Sequence, residues 1–231
     1  MKTIGIIGGI GPETTIAYYG QIIDAHRARV NDGSYPSMVI SSIDAKRLIG
    51  PIMAGKHDEV VEVLLSEIAR LERAGASFAA IAANTPHIVF DALEARSPLP
   101  LVSIVEATAD AALERGIRKP ALLGTRPTMD GTFYSDVFAR NGMTIVIPDP
   151  ADREYIHEKY MGELFHNKIS ADTRVALVSI ISALVERDGI DGVILGGTEL
   201  SLILTEPSYE GIPVLDTTRI HVQRIVDESL A

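Results

Sequence analysis

The sequence contains no cysteine, and only 5% of its 231 residues are aromatic. The absence of cysteine excludes disulfides, thiolate metal sites and any cysteine nucleophile or base. Long apolar runs are also missing, because no stretch approaches the ~20 apolar residues that a membrane span needs. The apolar run that follows Lys2 is too short for a signal peptide and has no small-residue cleavage site. We therefore expect a cytoplasmic protein.

Basic residues are scarce as well, since 21 Lys and Arg face 31 Asp and Glu and give a formal net charge of −10. Such a field repels nucleic acid and anionic membrane surfaces, so the expected partner is a small molecule. A hydrophobic content of 46% lets the chain bury a substantial core. That core predicts one large domain or two closely packed lobes.

Short β-rich apolar runs alternate with longer amphipathic stretches, which is typical of parallel sheets flanked by helices. The pattern predicts an α/β fold with strands near 3–8, 37–43, 77–82, 101–104, 119–123, 144–147, 191–195 and 213–215. It predicts helices near 13–30, 57–75, 86–95, 105–116, 129–141, 151–166, 170–188 and 217–230. Several of these helices begin with Pro, Asp, Ser or Thr, as helix starts favour.

A weak internal sequence repeat predicts two similar lobes, each a mostly parallel sheet flanked by helices. The strand end IAANT at 81–85 is matched by ILGGTE at 194–199. Ligands of open α/β sheets bind outside the carboxyl ends of the strands, so two such edges predict a cleft between the lobes. The proline-rich segment SPLP at 97–100 is the expected position at which the chain passes from the first lobe to the second. The expected division is 1–100 joined by the C-terminal helix 215–231, and 101–214.

The motif GGIGPETT at 8–15 lies between the first predicted strand and helix. Gly9 and Gly11 let the backbone approach a ligand, and the helix start after Pro12 offers amide donors to an anion. Thr14 stands where a dinucleotide fingerprint needs glycine, so that cofactor is not indicated. A plain tight turn explains the motif equally well.

Polar residues follow three further predicted strands. Thr125 and Thr128 belong to LLGTRPTM at 122–129, which lacks the ending of a P-loop and is suited to a carboxylate. Thr128 is also explained as a helix N-cap. Neutral donors and acceptors suited to the two charged ends of a zwitterion are supplied by Asn84, Thr85 and Thr198.

No metal site is indicated, because the six histidines show neither an H-x-x-x-H nor an H-E-x-x-H arrangement. A G-x-S-x-G elbow is absent too, which disfavours a serine hydrolase. His26 and His57 are interpreted as solvated helix residues, whereas His87 and His221 lie near the predicted ligand loops. A second carboxylate of a substrate could be bound by Lys46, Arg47 or Lys168. The alternative is that these three residues are solvated surface residues.

Taken together, five segments resemble the PLP-independent aspartate/glutamate racemase family. They are GGIGPETT at 8–15, ANTPH at 83–87, LLGTRPTM at 122–129, LGGTEL at 195–200 and VLDTTRIH at 214–221. The resemblance implies a cofactor-independent enzyme, usually a homodimer, that binds a small acidic amino acid between two α/β lobes. It also implies two cysteines, one per lobe, that act as base and acid on opposite faces of the substrate α-carbon.

Under this resemblance Ala83 and Gly197 stand at the two cysteine positions, and neither can transfer a proton. The family's two-thiol mechanism is therefore impossible here. The resemblance assigns substrate binding to Arg47, Asn84, Thr85, Thr125, Thr128, Lys168 and Thr198. The other candidate binding residues are Gly9, Gly11, Pro12 and Thr14 of the loop described above. Inversion needs a proton removed from one face and returned to the other, and the candidate substitutes are Glu13, His87 and Glu199.

Three hypotheses follow from this pattern. The chain is an enzyme that uses a different base, as a racemase or as a related isomerase or lyase, or it is a non-catalytic protein that binds or senses a small acid. A third hypothesis is a form whose thiols have been replaced, which traps the substrate. The retained anion loops favour the enzyme, although a receptor would retain them too.

Overall fold

A computed structural model describes the whole chain, Met1–Ala231. Two compact units divide it: Met1–Ala107 with Thr218–Ala231 form unit 1, and Thr108–Thr217 form unit 2. The unit boundaries predicted from the sequence, after residues 100 and 214, lie a few residues before the observed boundaries, after residues 107 and 217. None of the helices is long and apolar enough to cross a bilayer.

Unit 1 contains a parallel four-stranded sheet. Its strands are β1 (Ile4–Gly8), β2 (Met38–Ser42), β3 (Phe78–Ile81) and β4 (Leu101–Val102), in the order β2-β1-β3-β4. Its helices are α1 (Pro12–Arg29), α2 (Lys46–Met53), α3 (His57–Arg73), α4 (Phe90–Glu94) and the start of α5 (Ile104–Glu114). A 3-10 helix, Thr85–Val89, precedes α4, and α10 (Thr217–Leu230) returns the chain to this unit.

Both faces of the unit 1 sheet are buried, because successive strand side chains point to opposite sides. On one face Ile4 and Ile6 of β1 pack with Tyr18 and Ile22 of α1 and with residues of α10. On the other face Ile7 joins the apolar side chains of α2 and α3. The nearly continuous apolar sequence of β1 follows from this double burial.

Unit 2 repeats the arrangement with strands β5 (Pro120–Gly124), β6 (Gly192–Gly196), β7 (Ser208–Tyr209) and β8 (Ile212–Asp216). The order is β5-β6-β8-β7, and only the β7–β8 pair is antiparallel. Its helices are α6 (Arg126–Asp130), α7 (Phe133–Arg140), α8 (Pro150–Gly162) and α9 (Ala171–Asp188), with 3-10 helices at Leu164–His166 and Thr198–Leu202. One apolar cluster joins this sheet to α8 and α9. The predicted α/β class with parallel sheets flanked by helices is confirmed.

Two local predictions differ from the structure, and one helix was not predicted. The strand predicted at 144–147 is reduced to a single bridge between Val146 and Ala121. The helix predicted at 129–141 is two helices, α6 and α7, and Gly131 lies in extended conformation between them. Helix α2 had no counterpart in the prediction, and it contains Pro51, a residue that normally argues against a helix interior.

Candidate ligand-binding site

The turn after β1 is built around Gly9, whose φ of +85° lies in the left-handed region that glycine favours. A Cβ at Gly9 would overlap the carbonyl oxygen of Ile43 and lie 2.6 Å from its amide nitrogen. The Gly9 amide donates to Thr15 Oγ1 at 2.8 Å, so this donor serves the turn itself. Gly11 is the N-cap of α1, Pro12 is its first residue, and Thr14 is buried in its first turn. These contacts support the tight-turn interpretation for Gly9.

The polar loop after β3 is almost closed to solvent. Ala83 is 5% exposed and packs in the apolar core, and Asn84 is 3% exposed. Thr85 begins the 3-10 helix, and the His87 amide donates to the Asn84 carbonyl at 3.0 Å. The structure therefore surrounds Ala83, the first cysteine-like position, with packed side chains and places the Asn84 amide group beside it.

His87, one of the proposed substitute bases, is held in a single neutral form. Its Nδ1 lies 3.0 Å from the Ala83 carbonyl, which can only accept, so Nδ1 carries the proton. Its Nε2 then accepts the Ile104 amide at 3.3 Å. Burial, and next the neighbouring His221, lower the pKa of His87 to about 3. With both ring nitrogens occupied, His87 has no lone pair for a substrate proton.

His221 is also a structural residue of unit 1. Its Nε2 donates to the Val102 carbonyl at 3.0 Å, and its Nδ1 accepts the Tyr18 hydroxyl at 2.9 Å. Burial lowers the pKa of His221 to about 4. Its ring lies edge-on to His87, with centroids 6.3 Å apart. The interpretation of His26 as a solvated residue is wrong, because its side chain is fully buried and Nε2 lies 3.3 Å from Ser34 Oγ.

Arg47 lies at the start of α2 and contacts a buried carboxylate. Its NH1 donates to Glu67 Oε1 at 3.0 Å, while Arg70 and the Ser41 hydroxyl donate to the same Glu67. Burial alone would raise the pKa of Glu67, but these three donors together lower it. Two guanidinium groups share one carboxylate, so the cluster keeps a positive charge. Lys46 is an exposed neighbour.

In unit 2 the loop after β5 brings two threonine hydroxyls together. Thr125 Oγ1 and Thr128 Oγ1 are 3.0 Å apart, and both residues are buried. The N-cap of α6 is Thr125, so the alternative interpretation of Thr128 as an N-cap is wrong. The N-terminal turn of α6 and this hydroxyl pair therefore lie at one carboxyl end of the sheet.

The loop after β6 carries the second cysteine-like position. Glu199 is 4% exposed and accepts hydrogen bonds from the Tyr160 hydroxyl and, at 2.9 Å, from Thr198 Oγ1. Tyr160 comes from α8, and burial and the Glu199 carboxylate raise the pKa of its phenol well above the usual value. The Tyr160 hydroxyl and the Glu199 carboxylate are therefore the main groups near Gly197 that can carry a proton. Sequence reasoning missed Tyr160, because no motif connects α8 with the β6 loop.

The remaining candidates lie at the surface. Glu13 is exposed in the first turn of α1, and Lys168 is exposed after the 3-10 helix Leu164–His166. No group of three or more His, Asp or Glu side chains is arranged to hold a metal ion. The buried polar groups at the strand ends include threonine hydroxyls, the Asn84 amide and the Glu199 carboxylate, and hydroxyls and amides can both donate and accept hydrogen bonds.

Two units of helix-flanked parallel strands, with polar side chains at the strand ends, define an α/β protein in which each sheet carries polar groups at its carboxyl edge. Residues 7–225 match the family described as Asp/Glu/Hydantoin racemase, and the chain belongs to that family. It is 26% identical over 240 residues to the broad specificity amino-acid racemase RacX of Bacillus subtilis, covering 99% of this chain and 98% of RacX.

Solved structures agree with this assignment. PH1733, an aspartate racemase homologue from Pyrococcus horikoshii, is 35% identical with a TM-score of 0.83, and all of both chains is covered. A protein from Yersinia pestis, provisionally assigned as an Asp/Glu racemase, is 34% identical over all of both chains with a TM-score of 0.90. The family relationship is therefore supported by sequence and by fold.

Proposed function

We propose that this chain binds a small acidic amino acid and does not invert it by a two-thiol mechanism. The observation that carries the proposal is a set of buried polar side chains at the strand ends, next to two positions with no acidic or basic atom. Thr125, Thr128 and Thr198 supply these groups in unit 2, and Asn84 supplies one in unit 1. Ala83 and Gly197 leave neither unit a thiol.

The positive cluster of Arg47, Arg70 and Glu67 supports an acidic ligand. Glu67 accepts from one terminal nitrogen of Arg47, and the guanidinium has five N–H donors in all. The remaining donors of Arg47 suit a side-chain carboxylate. The name of RacX records broad specificity for amino acids, so neutral amino acids belong in the same binding trial.

Isothermal titration calorimetry with L- and D-aspartate, L- and D-glutamate and L-alanine tests the binding proposal. We expect saturable binding of an acidic amino acid and weaker binding of alanine. Thr128→Val should reduce the affinity about 5- to 10-fold, because one hydroxyl hydrogen bond contributes about 1 kcal/mol. Thr144→Val, at an exposed threonine, is the matched control and should leave the affinity unchanged. If none of these compounds binds, the proposal is wrong.

A second candidate function is proton transfer on one face of the substrate by Glu199 with Tyr160, which their hydrogen bond favours. Incubation of each ligand in heavy water, followed by NMR of the α-proton and chiral chromatography, separates the two functions. Binding without exchange supports the proposed function. Exchange with retained configuration indicates one working base, and inversion indicates two.

A further inference from the structure

The space that a side chain at position 197 would need is already filled. A Cβ built on Gly197 would overlap Cε2 of Tyr160 and lie 2.9 Å from both Cζ and the hydroxyl oxygen of that ring. Real Cβ atoms essentially never come within 3.0 Å of such atoms. The backbone of Gly197 is extended, with φ of −153°, so the conflict concerns space and not conformation. Any other residue at 197 requires the Tyr160 ring to move.

Tyr160 is held firmly where it lies. Its side chain is 6% exposed and belongs to the apolar core of unit 2, where α8 and α9 meet the sheet. Its hydroxyl donates to Glu199, which also accepts Thr198 Oγ1. Moving the ring would break a buried hydrogen bond and disturb close packing, and both changes destabilise a folded domain. The Tyr160 ring therefore cannot move aside at little cost, as the end of a flexible surface side chain could.

We propose that Tyr160 excludes a proton-transferring side chain from position 197, so that Gly197 and Tyr160 form a mutually dependent pair. The absence of a thiol from unit 2 is thus a two-residue feature: glycine at 197 is required by the tyrosine, and the tyrosine fills the space that glycine leaves. Restoring a thiol at 197 alone does not restore the site. The inference deepens the proposed function, because it explains why unit 2 offers no thiol chemistry, but its test requires no ligand.

A double-mutant cycle on the full chain tests the pair. Gly197→Cys should lower the Tm by roughly 5 °C or more, as expected for overpacking in a domain of this size. Tyr160→Ala should also lower the Tm, because it leaves a cavity. The double variant Gly197→Cys/Tyr160→Ala should be at least 3 °C more stable than the sum of the two shifts, since the new side chain enters the vacated space. Tyr160→Phe keeps the ring and should not rescue Gly197→Cys.

The chain has no cysteine of its own, so the reactivity of an introduced thiol is measured without background. Gly162→Cys is the matched control. Gly162 lies in α8, two residues after Tyr160, and a Cβ there meets nothing within 4 Å. It should leave the Tm nearly unchanged and react rapidly with a thiol reagent. If Gly197→Cys is as stable as the parent protein with Tyr160 in place, or if the two shifts simply add, the proposed dependence is wrong. A variant too unstable to purify is compared with the double variant by soluble yield, and rescue by Tyr160→Ala but not by Tyr160→Phe is expected.

Discussion

At the scale of single residues, Glu67 is the buried carboxylate on which the positive cluster of unit 1 depends. Its side chain has 0% exposure and accepts from Ser41, Arg47 and Arg70. Glu67→Gln keeps the shape but removes the charge, so it weakens the hydrogen bonds from all three donor residues and turns one acceptor oxygen into a donor. We expect the free energy of unfolding to fall by about 1–3 kcal/mol, measured by urea denaturation with circular dichroism.

The control for this prediction is Glu62→Gln. Glu62 also pairs with an arginine, Arg96, at 2.7 Å, but its side chain is 63% exposed. Exposed ion pairs contribute little, so the change should stay within about 0.5 kcal/mol. Equal effects of the two substitutions would show that burial of Glu67 does not matter. A fall in affinity for acidic amino acids in Glu67→Gln alone would link the cluster to ligand binding through the position of Arg47.

At the scale of elements, the β1–α1 turn depends on glycine for two separable reasons. Gly9 and Gly33 have nearly the same φ, +85° and +81°, but only Gly9 is crowded, because a Cβ on Gly33 meets nothing within 4 Å. Gly33→Ala should therefore cost about 1–2 kcal/mol for the left-handed conformation alone. Gly9→Ala adds the overlap with Ile43 and should cost about 3 kcal/mol or more. Thermal and urea unfolding of both variants measure the difference, and equal costs would contradict the crowding argument.

The elements also show what the sequence can predict. The bounds of strand β1 follow from a short, nearly continuous apolar run, and those of helices α3 and α9 from long stretches with helix-start residues, so all three agree with the prediction to within about two residues. Helix α2 was not predicted, because it is only eight residues long and contains Pro51. The segment at 144–147 has strand-like residues but pairs at a single bridge. Tyr160 could not be predicted beside Gly197, because their proximity arises from packing of α8 against the sheet and not from any local pattern.

At the scale of the whole molecule, stability should fall at mildly acidic pH because two neutral histidines are buried in unit 1. The pKa of His87 is lowered to about 3 and that of His221 to about 4, mainly by burial. Unfolded histidine has a pKa of about 6.5, so below that pH the unfolded chain binds protons that the folded chain does not. The stabilising effect of their neutral forms is fully present above pH 6.5 and is lost as the pH falls towards the folded pKa values.

Each histidine should contribute about 1.4 kcal/mol of lost stability per pH unit between pH 6.5 and the folded pKa. Between pH 6.5 and pH 5 the two together amount to about 3 kcal/mol, because half of the unfolded imidazoles are already protonated at pH 6.5. Urea unfolding followed by circular dichroism at pH 7.5, 6.5, 5.5 and 5.0 measures this slope. His57→Gln, at an exposed histidine, is the control and should leave the slope unchanged, whereas His221→Gln should reduce it by about half. A free energy of unfolding that stays constant from pH 7.5 to pH 5 would mean that both rings accept a proton in the folded chain, against the hydrogen bonds that His87 Nε2 accepts from Ile104 and His221 Nδ1 accepts from Tyr18.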